Sequence, residues 1–349
     1  MSENIIPSLT DKDPTAAARK ADHINLAFRS QVGADRLDNR FYYEPLTAAH
    51  PVPGSLPAFS FLGKTFQVPM WVSSMTGGTE LANRINHNLA RACGEFGFGM
   101  GLGSCRALLY SDERLADFDI RYLIGDAVPL FANLGVAQLE ELIDADDLFL
   151  LNELIEKLSA DGLIIHVNPL QEWLQPEGDR FRRAPLETIK KVLEEFDFPV
   201  IVKEVGQGFG RESLKKLFQL PLAAVDFAAN GGTNFSKLEL LRSDPIRQAV
   251  YGSLANVGHS AVEMVEMSNE ILEELGKDAK CREVIISGGI KSFLDGYYLT
   301  KKINTSAVYG QASEFLQHAR GNYAELKSFV EGQIRGLELA NAFLKVRKS

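Results

Sequence analysis

The stretch DGLIIHVNPLQEW, residues 161–173, changes character within a few positions. Leu163, Ile164 and Ile165 form a short apolar run that reads as a buried strand. His166, Asn168, Gln171 and Glu172 then place an imidazole, two carboxamides and one carboxylate in close succession. Pro169 is expected to keep a helix from starting among them. A buried strand that opens into donors, acceptors and a single carboxylate suits the C-terminal mouth of an α/β barrel. Taken alone it also suits a capped strand end with satisfied polar side chains. One carboxylate beside a diphosphate is enough protein for a Mg²⁺ site, because Mg²⁺ keeps several waters and takes phosphate oxygens. Glu172 is that carboxylate. Zn²⁺ would need a closer set of His and Cys, and the six histidines show no such spacing.

Two further clusters carry charge where chemistry can use it. Lys203 interrupts the apolar run PVIVKEV, and an ammonium in a core is costly unless it is paired. It reads either as a cation facing a negatively charged cofactor such as a reduced flavin, or as a salt bridge to Glu204 or Asp226. Arg19, Lys20 and His23, in RKADHI, form a solvated turn or a mobile arm that closes over a phosphate group.

These residues need a frame, and the chain supplies eight strand-like runs from Val68 onward. They cover 68–75, 98–104, 128–135, 161–168, 198–206, 222–230, 282–289 and 305–312. Most are followed by stretches of helical periodicity, which is the (β/α)8 pattern. A doubly wound open sheet is the competing arrangement, but no GxGxxG follows the first run. The expected fold is therefore an α/β, (β/α)8 TIM barrel with an N-terminal extension and a long loop after strand six. Residues 1–67 are read as an N-terminal arm and barrel-capping segment, and 68–349 as the barrel, in a single domain overall. Residues 229–258 are read as a lid or interface loop.

Every run ends in small, polar or charged residues, which points to a polar site at one rim. The glycine turns SGGI (287–290) and YGQA (309–312), after runs seven and eight, suit a phosphate.

Whole-chain composition narrows the classes. The chain has 349 residues, 45% of them hydrophobic, enough for one large core or two modest ones. A net charge of -9 argues against a nucleic-acid binder and gives no polybasic membrane signal. The three cysteines, Cys93, Cys105 and Cys281, are scattered, and read as reduced thiols in a cytoplasmic protein. No signal peptide or membrane-length apolar run is evident.

Together the motifs resemble the type 2 isopentenyl-diphosphate isomerases, flavin-dependent enzymes on a (β/α)8 barrel. They are RKADHI (19–24), SMTGG (74–78), GSCR (103–106), NLG (133–135), HVNPLQE (166–172), KEVGQG (203–208), GGT (231–233), SGGI (287–290) and GQA (310–312). The resemblance implies conversion of isopentenyl diphosphate to dimethylallyl diphosphate, with reduced FMN as acid/base cofactor, Mg²⁺, and NADPH only to reduce the flavin. It implies that Arg19, Lys20 and Arg106 hold the diphosphate, with His23 and Asn168 helping. Ser104 would lie close to both ligands, and Cys105 belongs to the same substrate segment without an assigned chemistry. Ser74, Met75, Thr76, Ser104, Asn133, Lys203 and Thr233 would hold the flavin ring and ribityl chain. Gly288, Gly289, Gln311 and Ala312 would hold its phosphate. Gln171 would sit over the reacting carbons, His166 close by, and Glu172 on the metal. A homotetramer or octamer is implied as well. In place of the family's Trp-Gly-containing segment this chain has NFSKLELLRSD. The alternatives are an FMN-dependent oxidoreductase of the 2-hydroxy-acid oxidase type, and a non-catalytic phosphate-binding barrel.

Overall fold

The computed structural model describes residues 15–74 and 79–347. Two compact units emerge, one of residues 15–42 with Arg347 and one of residues 43–346. The first carries a helix, Ala16–Leu26, on which Arg19, Lys20 and His23 are all exposed. It also carries a 3-10 turn, Ala34–Arg36.

The second unit contains a closed barrel of eight parallel strands in sequential order. They are β1 (Met70–Val72), β2 (Gly99–Gly101), β3 (Leu130–Gly135), β4 (Gly162–His166), β5 (Val200–Lys203), β6 (Ala224–Asp226), β7 (Glu283–Ser287) and β8 (Ser306–Gln311). Each lies inside the run expected for it. β1 and β8 pair to close the ring. The interior is apolar, with Met70, Met100, Ile164, Ile201 and Ile285 at most 1% exposed.

The outer layer holds the amphipathic helices. Glu80–Phe96 follows β1, capped by Thr79 at its start and by left-handed Gly97 at its end. Val136–Ala145 and Pro185–Glu195 follow β3 and β4, and Arg211–Phe218 follows β5. Tyr323–Phe343 closes the series.

Two expectations need correction. Residues 229–258 are not a plain loop: they contain the helices Phe235–Arg242 and Pro245–Tyr251 and a 3-10 segment, Gly252–Asn256. Asn234 and Asp244 cap the two helices by accepting hydrogen bonds from backbone amides. Pro169 does not prevent a helix but begins one, Pro169–Leu174. The ring fixes a helical φ, and the missing N–H is one the first turn leaves unbonded anyway. Gln171 and Glu172 therefore sit on the first turn of a helix, not on a loop.

The bottom of the barrel is covered by the hairpin Phe59–Phe61 and Lys64–Phe66. Phe61 and Phe66 are fully buried and meet edge to face at 5.4 Å. The Leu62 amide donates to the Glu283 carboxylate at the start of β7 (2.7 Å), and Lys64 pairs with Asp161 just before β4 (2.5 Å).

Candidate active site

Strand register lines up the mouth. Gly135, His166, Lys203 and Asp226 are register partners across β3 to β6. Register partners on parallel strands share a face, so His166, Lys203 and Asp226 form one row.

Each member of the row is shaped by burial. Burial, with a smaller contribution from the neighbouring Lys203 charge, pushes the His166 imidazole down to about 3. The ring is therefore neutral near pH 7. Asn133 fixes its tautomer. The Asn133 Nδ2 donates to the Leu102 carbonyl (3.0 Å), so its Oδ1 faces His166 Nδ1 at 2.9 Å and Nδ1 carries the proton.

Lys203 is 6% exposed, and its Nζ donates to the Glu204 backbone carbonyl at 2.7 Å. It reaches neither of the carboxylates proposed as salt-bridge partners within 4 Å, although both lie close enough to matter electrostatically. Burial lowers the Lys203 pKa; Asp226 and Glu204 oppose it. Burial raises Asp226, opposed by Lys203 and the hydrogen bond from Ser287 Oγ. Glu204 has a different task. Its Oε2 accepts from the amides of Gly206, Gln207 and Gly208 at 2.6–2.9 Å, tying down its own turn.

Beside Lys203 opens a cavity of about 340 Å³. Ser73, Ser74, Thr233, Gly288, Gly289, Gln311 and Ala312 help to line it, with Lys203. Two glycines define its shape. A Cβ on Gly288 would sit 2.0 Å from the Ala229 carbonyl oxygen, at φ +89°, and Gly289 has φ +73°. Side chains are excluded there by contact and by conformation. The hydroxyls of Ser73 and Ser74 are buried without a hydrogen-bond partner. Buried polar groups are rarely left so, and both line the cavity; a polar group such as a flavin phosphate or ring fits there. Gln311 lines the cavity while its side chain is held from behind: its Nε2 donates to the Ile290 carbonyl (3.2 Å) and its Oε1 accepts from Gln333 (2.6 Å). Its amide is committed to holding the end of β8. Met75 and Thr76 lie outside the described residues.

The opening cluster is a second centre. Asn168 Nδ2 donates to Glu172 Oε1 (2.9 Å) and to Gln171 Oε1 (3.1 Å). Asn168 Oδ1 is buried and unpartnered. Each Glu172 oxygen has one hydrogen bond and keeps an acceptor site for a cation. Among the described residues no group of three or more His, Cys, Asp or Glu could enclose a metal. The donor set on the chain thus fits a hard ion that takes its remaining oxygens from phosphate and water.

Arg106 begins the 3-10 turn Arg106–Leu109 after β2. Its Nη1 donates to Asp179 (3.0 Å), and Glu141 lies 3.6 Å from Nη2. Ser104 is exposed beside it. Cys105 is fully buried, its thiol directed at the Gly103 carbonyl and pushed up to about 12 by burial. It packs beneath the turn as an apolar residue.

Asp179 and Gln138 were not found from sequence. Asp179 accepts from Gln138 Nε2 (2.8 Å) and donates its own amide to Glu172 Oε2 (2.8 Å). Gln138 Oε1 in turn accepts from the Gly135 amide at the end of β3 (3.0 Å). The available signal was local: PEGD follows the helix of Glu172 directly, and a Cβ on Gly178 would lie 2.0 Å from the Glu172 carbonyl.

A closed parallel barrel with a glycine-lined cavity and polar clusters at its C-terminal mouth places the chain in the (β/α)8 class, whose active sites lie at that end. Comparison with known proteins narrows this. No family model matches the chain. An isopentenyl-diphosphate delta-isomerase from Rickettsia peacockii (strain Rustic) is 34% identical over 312 residues, covering 86% of this chain and 85% of that protein. One from Rickettsia felis (strain ATCC VR-1525 / URRWXCal2) is 34% identical over 332 residues, covering 92% and 90%. Similar solved structures include a flavocytochrome b2 variant with sulfite bound (TM-score 0.58, 16% identity, covering 91% of this chain and 78% of that one). A mandelate oxidase variant with (S)-mandelic acid has a TM-score of 0.53 at 15% identity, covering 89% and 88%. The latter two show the barrel fold. The chain belongs to the isopentenyl-diphosphate delta-isomerase family, and is an isomerase.

Proposed function

We propose that this chain converts isopentenyl diphosphate to dimethylallyl diphosphate in isoprenoid biosynthesis, with reduced FMN as acid/base cofactor and Mg²⁺ on the diphosphate. NADPH would serve to reduce the flavin. The observation that carries this reading is the position of Lys203. It lines the glycine cavity and is in register with His166, which lies two residues before Asn168, the first member of the Asn168–Glu172 cluster. A buried cation between two polar centres suits an anionic cofactor on one side and substrate on the other.

The chain's own proton carriers are few. His166 is neutral and spends its one N–H on Asn133. Gln171 is a carboxamide, a poor acid and a poor base. When bound, reduced FMN supplies a ring nitrogen that gives and takes a proton, and an electron-rich face beside developing positive charge. Lys203 would favour the anionic reduced form. Asn168 and Glu172 would hold the metal–diphosphate end, and Gln171, bonded to Asn168, would face the reacting carbons. Arg19, Lys20 and His23 are exposed on their helix and would be further diphosphate-binding residues.

The isomerase names of the relatives support the same reading, as does a similar barrel, a mandelate oxidase variant with a monooxide FMN adduct. So does the end of β7, where Ser287–Lys291 lacks the histidine and arginine an oxidase of 2-hydroxy acids needs.

The test is an anaerobic assay of isopentenyl diphosphate with FMN and Mg²⁺, with and without NADPH or dithionite. Turnover only with reduced flavin, without stoichiometric NADPH consumption, is the expected result. Tight FMN binding without isomerisation would overturn it. Glu172→Ala is expected to raise the Mg²⁺ concentration for half-maximal activity about ten-fold or more. An unaltered Mg²⁺ dependence would remove Glu172 from the metal.

A further inference from the structure

Arg106 is the cation of the second unit best placed for a diphosphate, yet it is already matched by carboxylates. Asp179 Oδ2 takes its Nη1 at 3.0 Å, and Glu141 stands 3.6 Å from Nη2. Glu172 adds a further negative charge, joined to Asp179 through the Asp179 amide. The nearby Arg180 does not restore the balance. Its Nη1 is spent on the backbone carbonyls of Glu172 (2.6 Å) and Gly178 (2.8 Å), and its guanidinium lies over the Trp173 ring. Arg182 and Arg183 pair with Asp144.

Asp179 is held in this position from three sides. Gln138 donates to its carboxylate, Arg106 donates to the same oxygen, and its amide is fixed on Glu172. The turn that delivers it is tight enough to require Gly178. The carboxylate is thus a built part of the site.

We infer that Asp179 is a specificity-determining residue that makes this site take a metal-complexed diphosphate in preference to the free anion. The inference rests on the diphosphate reading above. A free diphosphate meets Arg106 with its charge already cancelled and two further carboxylates beside it. A diphosphate carrying a divalent cation brings the charge that Glu172 and Asp179 attract. Arg106 is half exposed, and removing one unit charge a few ångströms from an anion screened as in bulk water changes affinity about five- to ten-fold.

The experiment titrates inorganic pyrophosphate into the full-length, FMN-loaded protein by calorimetry, once in EDTA and once in Mg²⁺. Asp179→Asn keeps the size of the side chain and the amide bond to Glu172. It is expected to bind pyrophosphate about five- to ten-fold more tightly than wild type in EDTA, with no gain in Mg²⁺, so that the ratio of the two affinities collapses. Asp179→Ser is the second variant, so that one poorly folded protein does not decide the matter. Glu141→Gln, at the longer distance and more exposed, is expected to shift the ratio the same way by less. A purely structural brace would instead weaken both titrations together. That outcome, or an unchanged ratio in both Asp179 variants, overturns the inference. Wild-type protein that binds pyrophosphate in neither buffer overturns the diphosphate reading itself.

Discussion

His166 and Lys203 stand side by side on β4 and β5, and burial treats them alike: each is pushed toward its neutral form. For His166 the consequence is measurable. Its pKa is about 3 in the folded protein and about 6.5 in an unfolded chain. A depressed histidine contributes stability that is present above the unfolded value and lost as pH falls below it, because only the unfolded chain takes up the proton. Between pH 7 and pH 5 the unfolding free energy of wild-type apoprotein should fall by about 2 kcal/mol more than that of His166→Gln. Urea titrations at the two pH values check this; an equal fall in both proteins would mean that His166 takes up its proton in the folded state over the same pH range as in the unfolded chain. At this scale the sequence was informative wherever a polar type interrupted an apolar run. His166, Asn168, Gln171, Glu172 and Lys203 were visible for that reason, and the structure brings them to one rim. Asp179 and Gln138 were not, since one sits in a polar turn and the other in a helix where polar residues are ordinary. Only the three-dimensional link from Gly135 through Gln138 and Asp179 to Glu172 singles them out.

Strand positions could be read because buried parallel strands are short apolar runs bounded by turn residues. The helices of 235–251 were missed for the converse reason. Leu238, Leu241, Ile246 and Val250 are exposed on them, so no single apolar stripe marks a buried face. Their caps, Asn234 and Asp244, were the remaining signal. Pro169 was misjudged because a proline blocks the residue before it from helical conformation while favouring the first helical position itself. The glycine turn after β7 shows what an element end can impose. Gly288→Ala adds a methyl group 2.0 Å from the Ala229 carbonyl oxygen at a positive φ. The strain alone costs about 1–3 kcal/mol, and the contact forces the turn away from β6. The variant is expected to lose FMN on desalting while wild type retains it, and to melt at a lower temperature. Retention equal to wild type would mean that this turn does not hold the cofactor phosphate.

The barrel separates two jobs along its axis. Strand C-termini present the His166–Lys203–Asp226 row, the glycine cavity and the Asn168–Glu172 cluster; strand N-termini receive the hairpin at 59–66. In (β/α)8 barrels the C-terminal rim carries the chemistry and the N-terminal rim serves stability, so the two ends are expected to respond separately to substitution. Phe61 tests this. Its side chain is fully buried against Phe66, and the adjoining Leu62 amide is anchored on Glu283 at the bottom of β7. Phe61→Ala removes a large core side chain and should cost about 3–5 kcal/mol of stability. At a temperature where the variant remains folded, its KM for isopentenyl diphosphate and its FMN affinity should equal those of wild type. Thermal melts and steady-state kinetics on the same preparation measure both quantities. A lowered melting temperature with unchanged KM is the expected pair. A KM that rises in step with the loss of stability would show that the hairpin end shapes the mouth, and that the barrel does not insulate one rim from the other.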